Sequence, residues 1–126
     1  MRALNPDTVA KPASHYAQAV DVSAATRRLV ISGQVGVTAD GRIVDGYEAQ
    51  AAQVWANITA LLAAADMDLS NLISIRVYDV APGNVAAYRI IRDRILAGHL
   101  VAATYVIVAG LASPQFLTEI EAEAVA

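Results

Sequence analysis

The residues best suited to chemistry lie in the stretch LTEIEAEAV (117–125), which puts Glu119, Glu121 and Glu123 at every second position. In an extended strand that spacing aims all three carboxylates at one face. On an exposed edge such a face is simply solvated. A covered carboxylate is costly unless it is paired or hydrogen-bonded, or else its pKa rises, and a raised pKa is what a proton shuttle needs. Glu119, deepest in the strand, is the best placed of the three. Glu121 is expected to be interior or paired, and Glu123, near a frayed end, to be wet.

Other candidates are more dispersed. Ser32-Gly33-Gln34 interrupts the apolar run RLVI, and a glycine there either marks a β-bulge or leaves a backbone N–H open to a ligand. Tyr16 in SHYAQAV and Tyr105 in ATYVIV each combine an aromatic wall with a hydroxyl, as packing residues or as pocket walls. His15 is expected to be a solvated loop histidine, and Arg76, mid-strand, to pair with a glutamate. Arg89, Arg92 and Arg94 read as a wet helix face shared with Asp93. No catalytic triad, phosphate loop or heme motif is present, so no cofactor is expected. The absence of cysteine excludes a thiolate nucleophile and a cysteine-based metal site. His15 and His99 are far apart and lack metal-ligand spacing, so no metal is expected either.

These residues need elements to hold them. The patterns predict strands over 16–20 and 28–37, with Asp40-Gly41 suited to a tight hairpin turn. From Tyr47 to Ala65 apolar residues fall at Ala51, Val54, Ile58, Leu61, Leu62 and Ala65, the spacing of one helical face, on which Trp55 also packs. ISIRVYDV (73–80) reads as a strand. Asn84 is placed to cap a second helix that carries Tyr88, Ile91 and Ile95 and stops near Gly98. A strand over 103–111 and the final glutamate strand follow. This β-β-α-β-α-β-β order predicts an α+β fold, a mixed sheet with both helices on one face, formed by residues 1–126 as a single domain.

Hydrophobic residues make up 56% of the chain and charged residues 17%, against usual values of about 45–50% and about 25%. That surplus, together with strands apolar on both sides, calls for cover that the chain is too short to supply, and a homo-oligomer is the economical answer. No apolar run approaches the roughly 20 residues of a membrane helix, and the first residues do not suit a signal peptide; the expectation is a soluble cytoplasmic protein without a membrane partner. With nine Lys and Arg against twelve Asp and Glu, the net charge of −3 gives no general attraction to a phosphate backbone, so nucleic acid is a poor partner.

Taken in order, HYAQAV, LVISGQVGV, DGRIV, QAAQVWANITALLAAA, DLSNLISIRVYD and AGLASPQFLTEIEAEAVA resemble the RidA family, also called YjgF/YER057c/UK114 and often labelled endoribonuclease L-PSP. The resemblance covers nearly the full length. It implies a chorismate-mutase-like fold and a homotrimer whose sheets meet as a barrel, with pockets between subunits for a small-molecule ligand. Studied members hydrolyse reactive enamines and imines. By resemblance, Glu119 handles the water, Gly33 offers its backbone N–H, and Tyr16 and Ser32 line the pocket. Deaminating members carry an arginine in a PAR(S/T) motif that clamps the substrate carboxylate. Here Ala103 stands at that position, or Thr104 under a shifted alignment, and Val101 replaces the proline. An asparagine of some members is matched only by Val85, or by a shifted Asn84. A lost charge-assisted contact is worth roughly 1.5–3 kcal/mol per hydrogen bond, so carboxylate substrates should bind more weakly unless another cation substitutes. Two readings follow: a divergent imine or enamine hydrolase for a substrate without an anchoring carboxylate, with Glu119 and Tyr16 as catalytic residues beside the Gly33 N–H, or a non-catalytic trimer that binds a metabolite or partner. The ribonuclease label fits the acidic balance poorly.

Overall fold

A computed structural model describes residues 1–126. Two short strands, β1 (Arg2–Leu4) and β2 (Ala19–Asp21), pair antiparallel outside the main sheet. The main sheet comprises β3 (Arg28–Val35), β4 (Leu72–Asp79), β5 (Ala102–Ile107) and β6 (Thr118–Val125), in the order β3-β6-β4-β5. β6 runs antiparallel to both neighbours, whereas β4 and β5 are parallel, so the sheet is mixed. Helix α1 (Tyr47–Ala64) carries the chain from β3 to β4, and α2 (Val85–Leu96) makes the crossover from β4 to β5. Both helices cover one face, giving the expected α+β layer. No helix is long and apolar enough to cross a membrane.

Burial explains this arrangement. Val54, Ile58 and Leu62 recur every fourth residue of α1 and, with Trp55, are almost fully buried against Ile31, Leu72, Ile75, Val77, Ile120 and Ala122 of the sheet. Tyr88, Ile91 and Leu96 bring α2 onto the same core. Polar residues also stand at core positions. Gln50, one turn before Val54, is buried; it donates to the carbonyls of Val44 (3.1 Å) and Gln115 (2.8 Å) and accepts from the Leu117 N–H (2.8 Å). It thereby fixes the loop that enters β6 two residues before Glu119. Asp79 ends the buried series Ile75, Val77, Asp79 and accepts from the Tyr47 (2.7 Å) and Tyr105 (2.6 Å) hydroxyls. These bonds link β4 to α1 and β5. Burial first, then the bond to Asp79, raises the pKa of both tyrosines.

Several expectations are corrected. The predicted strand at 16–20 divides: Ala17 bridges to Ala102 at the edge of β5, and the chain then leaves to pair Ala19–Asp21 with β1. At Asp40-Gly41 the turn forms, but only one bridge, Val37 to Ile43, stands beside it. The strand expected over 103–111 ends at Ile107. Asn84 occupies the cap position of α2 without a side-chain capping bond. Arg92 lies buried rather than on a wet face.

Candidate functional site

The register of β3 against β6 slips where the sequence loses its apolar run. Ile31 faces Ala122 and Gln34 faces Ile120, so Ser32 and Gly33 together oppose Glu121. This is a β-bulge, as one reading of the glycine anticipated. It changes which way the next residues point and leaves Gly33 beneath the Glu119 side chain. A Cβ built on Gly33 would overlap the carboxylate oxygen and stand 2.8 Å from Glu119 Cδ. The missing side chain is what lets the carboxylate lie over the bulged backbone, while Ser32 is exposed beside it.

The three glutamates differ in their partners. Glu123 binds Arg28 at 2.8 Å and lies 3.8 Å from Arg76; at 18% side-chain exposure it is the most covered of those ion-paired here, not the wet end expected of it. Glu121 lies 3.7 Å from Arg76 and accepts from the Tyr78 hydroxyl at 3.3 Å, in keeping with a paired group. Arg76 therefore pairs with glutamates, as its mid-strand position suggested. Glu119 is half-buried and has no such partner. Its pKa is raised, first by burial and then by the charge of Glu121. Of the three, Glu119 alone combines an uncommitted carboxylate with a pKa moved toward neutrality.

The remaining candidates lie elsewhere. Ala103 and Tyr105 point to the helix-covered face, opposite to Glu119. With Tyr16, they line a cavity of about 240 Å³ between β5 and α2, where Val85, Tyr88, Arg89 and Arg92 join them. Tyr16 reaches this cavity because the Ala17 N–H donates to the Val101 carbonyl (2.9 Å), holding the N-terminal segment along the β5 edge. Tyr105 stacks at a tilt on Tyr88, with ring centroids 5.0 Å apart. Thr104 lies on the open face, two strands from Glu121 and in register with Arg76, and belongs to neither group. His15 is exposed, 3.4 Å from the Gly98 carbonyl.

The predicted residues thus form two groups, Ser32-Gly33-Glu119 on the open face of the sheet and Tyr16-Ala103-Tyr105 at the β5 edge. Sequence reasoning missed Gln50, Asp79 and the place of Arg89 and Arg92 in the second group. For Gln50 and Asp79 a signal existed, since each is a polar residue in phase with a buried apolar series.

The family model described as Endoribonuclease L-PSP matches residues 7–126. A RutC family protein from Aquifex aeolicus (strain VF5) is 32% identical over 79 residues, covering 62% of this chain; the match spans 61% of that relative's length. The fold superposes on YyfB from Yersinia pestis, a protein of unknown function of the conserved Rid family, with a TM-score of 0.90 at 32% identity, covering 99% of this chain and 98% of that one. RidA from the Antarctic bacterium Psychrobacter sp. PAMC 21119 superposes with a TM-score of 0.76 at 27% identity over the whole of both chains. A match this long, together with the shared fold, shows that the chain belongs to the endoribonuclease L-PSP family, the RidA/YjgF family its sequence resembles.

Proposed function

We propose that the chain is a hydrolase of small imines or enamines, working as a homotrimer, with Glu119 as its acid-base group. The observation that carries this reading is the uncommitted Glu119 carboxylate lying over Gly33, its pKa raised by burial. In the reaction a water O–H bond breaks and its oxygen adds to the C=N carbon. Glu119 accepts the water proton and returns it to the nitrogen, giving a carbinolamine; it then takes the hydroxyl proton and passes it to the same nitrogen as C=O forms and the C–N bond breaks, leaving ammonia and a carbonyl compound. An enamine first takes a proton at its β-carbon to become the imine. The Gly33 N–H and Ser32 line the approach to the carboxylate, and Tyr16 and Tyr105 wall the other half of the site.

The trimer is part of the same reading. The two groups of candidates occupy opposite sides of one sheet, and a second copy laid on the open face would bring one copy's Glu119 to another's β5 edge. Val30 on that face and Val106 and Ile107 on β5 are exposed in the single chain, with Val30 at 65%, which is the apolar surface such a contact would cover. The net charge of −3 gives no support to a ribonuclease.

Ammonia release from several imines generated in place tests the proposal. The parent chain should exceed the uncatalysed rate, and Glu119→Gln, which keeps the shape and loses the base, should lower kcat by roughly 100-fold or more, the scale of a general acid-base group. A parent chain that binds these compounds but never exceeds the uncatalysed rate would leave a ligand-binding trimer as the better account.

A further inference from the structure

We infer that Gln50 and Asn57 are positioning residues for Glu119: two side-chain amides of α1 that hold the ends of β3 and β6 and so keep the carboxylate folded over the Gly33 bulge. Their part in turnover rests on the proposed hydrolase reading, whereas the hold itself rests on geometry. Glu119 is the second residue of β6, and Val35, which it faces across the ladder, is the last residue of β3. On that side the pair stands at a corner of the sheet, where a strand end has no further ladder bonds and opens most readily. An acid-base group set there needs something else to fix the corner.

Helix α1 fixes it from behind. The Asn57 amide nitrogen donates to the Val35 (3.2 Å) and Val37 (3.1 Å) carbonyls, and its oxygen accepts from Gln53 Nε2 at 2.8 Å, which sets the amide the right way round. Gln50, two turns earlier on the same face, donates to the Val44 and Gln115 carbonyls and accepts from the Leu117 N–H, two residues ahead of Glu119. Val44 in turn donates its N–H to the Gly36 carbonyl at 2.9 Å, so Gln50 holds both the chain leaving β3 and the chain entering β6. Gly36 permits this close approach, since a Cβ there would stand 2.6 Å from Gln50 Cγ. Each place needs two donors and an acceptor, which a carboxamide supplies and neither a carboxylate nor an alkyl group of that size can. Val54, Ile58 and Leu62 already dock α1 on the sheet, and the backbone groups taken by the two amides all belong to the segments that meet at Glu119. The titratable groups around that carboxylate are Glu121 on its own strand and Tyr78 opposite it on β4, while the nearby end of β3, residues 32–35, carries no charge. Loosening either end therefore lets the side chain turn to water, and with its burial relieved it titrates closer to the ordinary value near 4.5.

The test reads Glu119 itself, with and without turnover. In protein carrying carbon-13 at the glutamate carboxyls, the Glu119 Cδ resonance, assigned by its loss in Glu119→Gln, is followed by NMR through a pH titration that needs no substrate. Ammonia release from imines generated in place is measured beside it. Gln50→Met and Asn57→Leu keep the side-chain size and lose the amide bonds; Leu62→Ala, which opens the core near the far end of α1, is the comparator for a plain loss of stability. The expected result is that both amide variants lower the Glu119 midpoint toward 4.5 and lower kcat by roughly 10- to 100-fold with little change in KM, the scale of a misplaced reacting group. Leu62→Ala should lower Tm and leave the midpoint where it was. Gln53→Leu, which frees only the Asn57 amide, should act in the same direction by less, and it carries the test if a core variant does not fold. A midpoint that stays at the parent's value in every folded amide variant overturns the positioning role, whatever the rates do. A midpoint that falls in variants of a parent without ammonia release keeps the hold on Glu119 and removes the hydrolase.

Discussion

Glu119 bears the cost of its ionisation without help, whereas Glu121 shares its charge with Arg76 and Tyr78, and Glu123 with Arg28 and Arg76. Its pKa is raised from an ordinary value near 4.5, so the folded protein holds that proton more tightly than the unfolded chain does. Stability from this group is therefore complete below about pH 4.5 and is lost as pH rises through the folded value. Glu119→Gln, which cannot ionise, should match the parent's Tm at about pH 4 and exceed it at about pH 7, as thermal unfolding at a fixed protein concentration will report; a variant less stable at neutral pH would count against an uncommitted carboxylate. Period-two spacing made the shared face of the three glutamates legible in the sequence. Their partners were not legible: Glu123 is covered because Arg28, 95 positions earlier, lies across it, and no local pattern encodes that pairing.

At the scale of elements, two glycines of the β3 region fill different needs. A methyl group at Gly33 would meet the movable end of Glu119, whereas one at Gly36 would stand 2.7 Å from Gln50 Cβ and 2.8 Å from its Cα, which is helix backbone. Gly33→Ala should thus leave stability within about 1 kcal/mol of the parent while pushing the carboxylate aside and lowering ammonia release, and Gly36→Ala should cost about 1–3 kcal/mol by forcing α1 off the sheet. Denaturant titration beside the rate assay distinguishes them. Asp79→Ala would strand the Tyr47 and Tyr105 hydroxyls at the junction of α1, β4 and β5, at about 1–3 kcal/mol for each hydroxyl left unpaired; a denaturant midpoint equal to the parent's would contradict that role. The long periodic elements, α1 above all, were readable because their burial patterns are local. β1 was not, since Arg2–Leu4 is a strand only because Ala19–Asp21 pairs with it. Tyr16 was legible as a candidate, but the place of Arg89 in the same cavity was not, because the three arginines of α2 read together as one wet face.

For the whole molecule, the composition already indicated that a single chain leaves apolar surface uncovered, and Val30 is where the open face shows it most. In the proposed trimer, Val30→Asp would place an unpaired carboxylate in a subunit contact, so its dissociation constant should rise roughly 100-fold or more. Light scattering over a dilution series reads this directly, and a variant that stays as assembled as the parent would place the contact elsewhere. The strand order carries one more consequence. β3 and β4 do not touch each other; each pairs with β6, which comes after every other strand of the sheet in the chain. On a ribosome, β3, α1, β4, α2 and β5 emerge while the centre of their sheet is still unfilled, with two long strand edges open to the wrong partners. The segment that brings the Glu119 carboxylate is thus also the one whose arrival closes the sheet, so a chain that stalls before it is left with open edges and prone to aggregate.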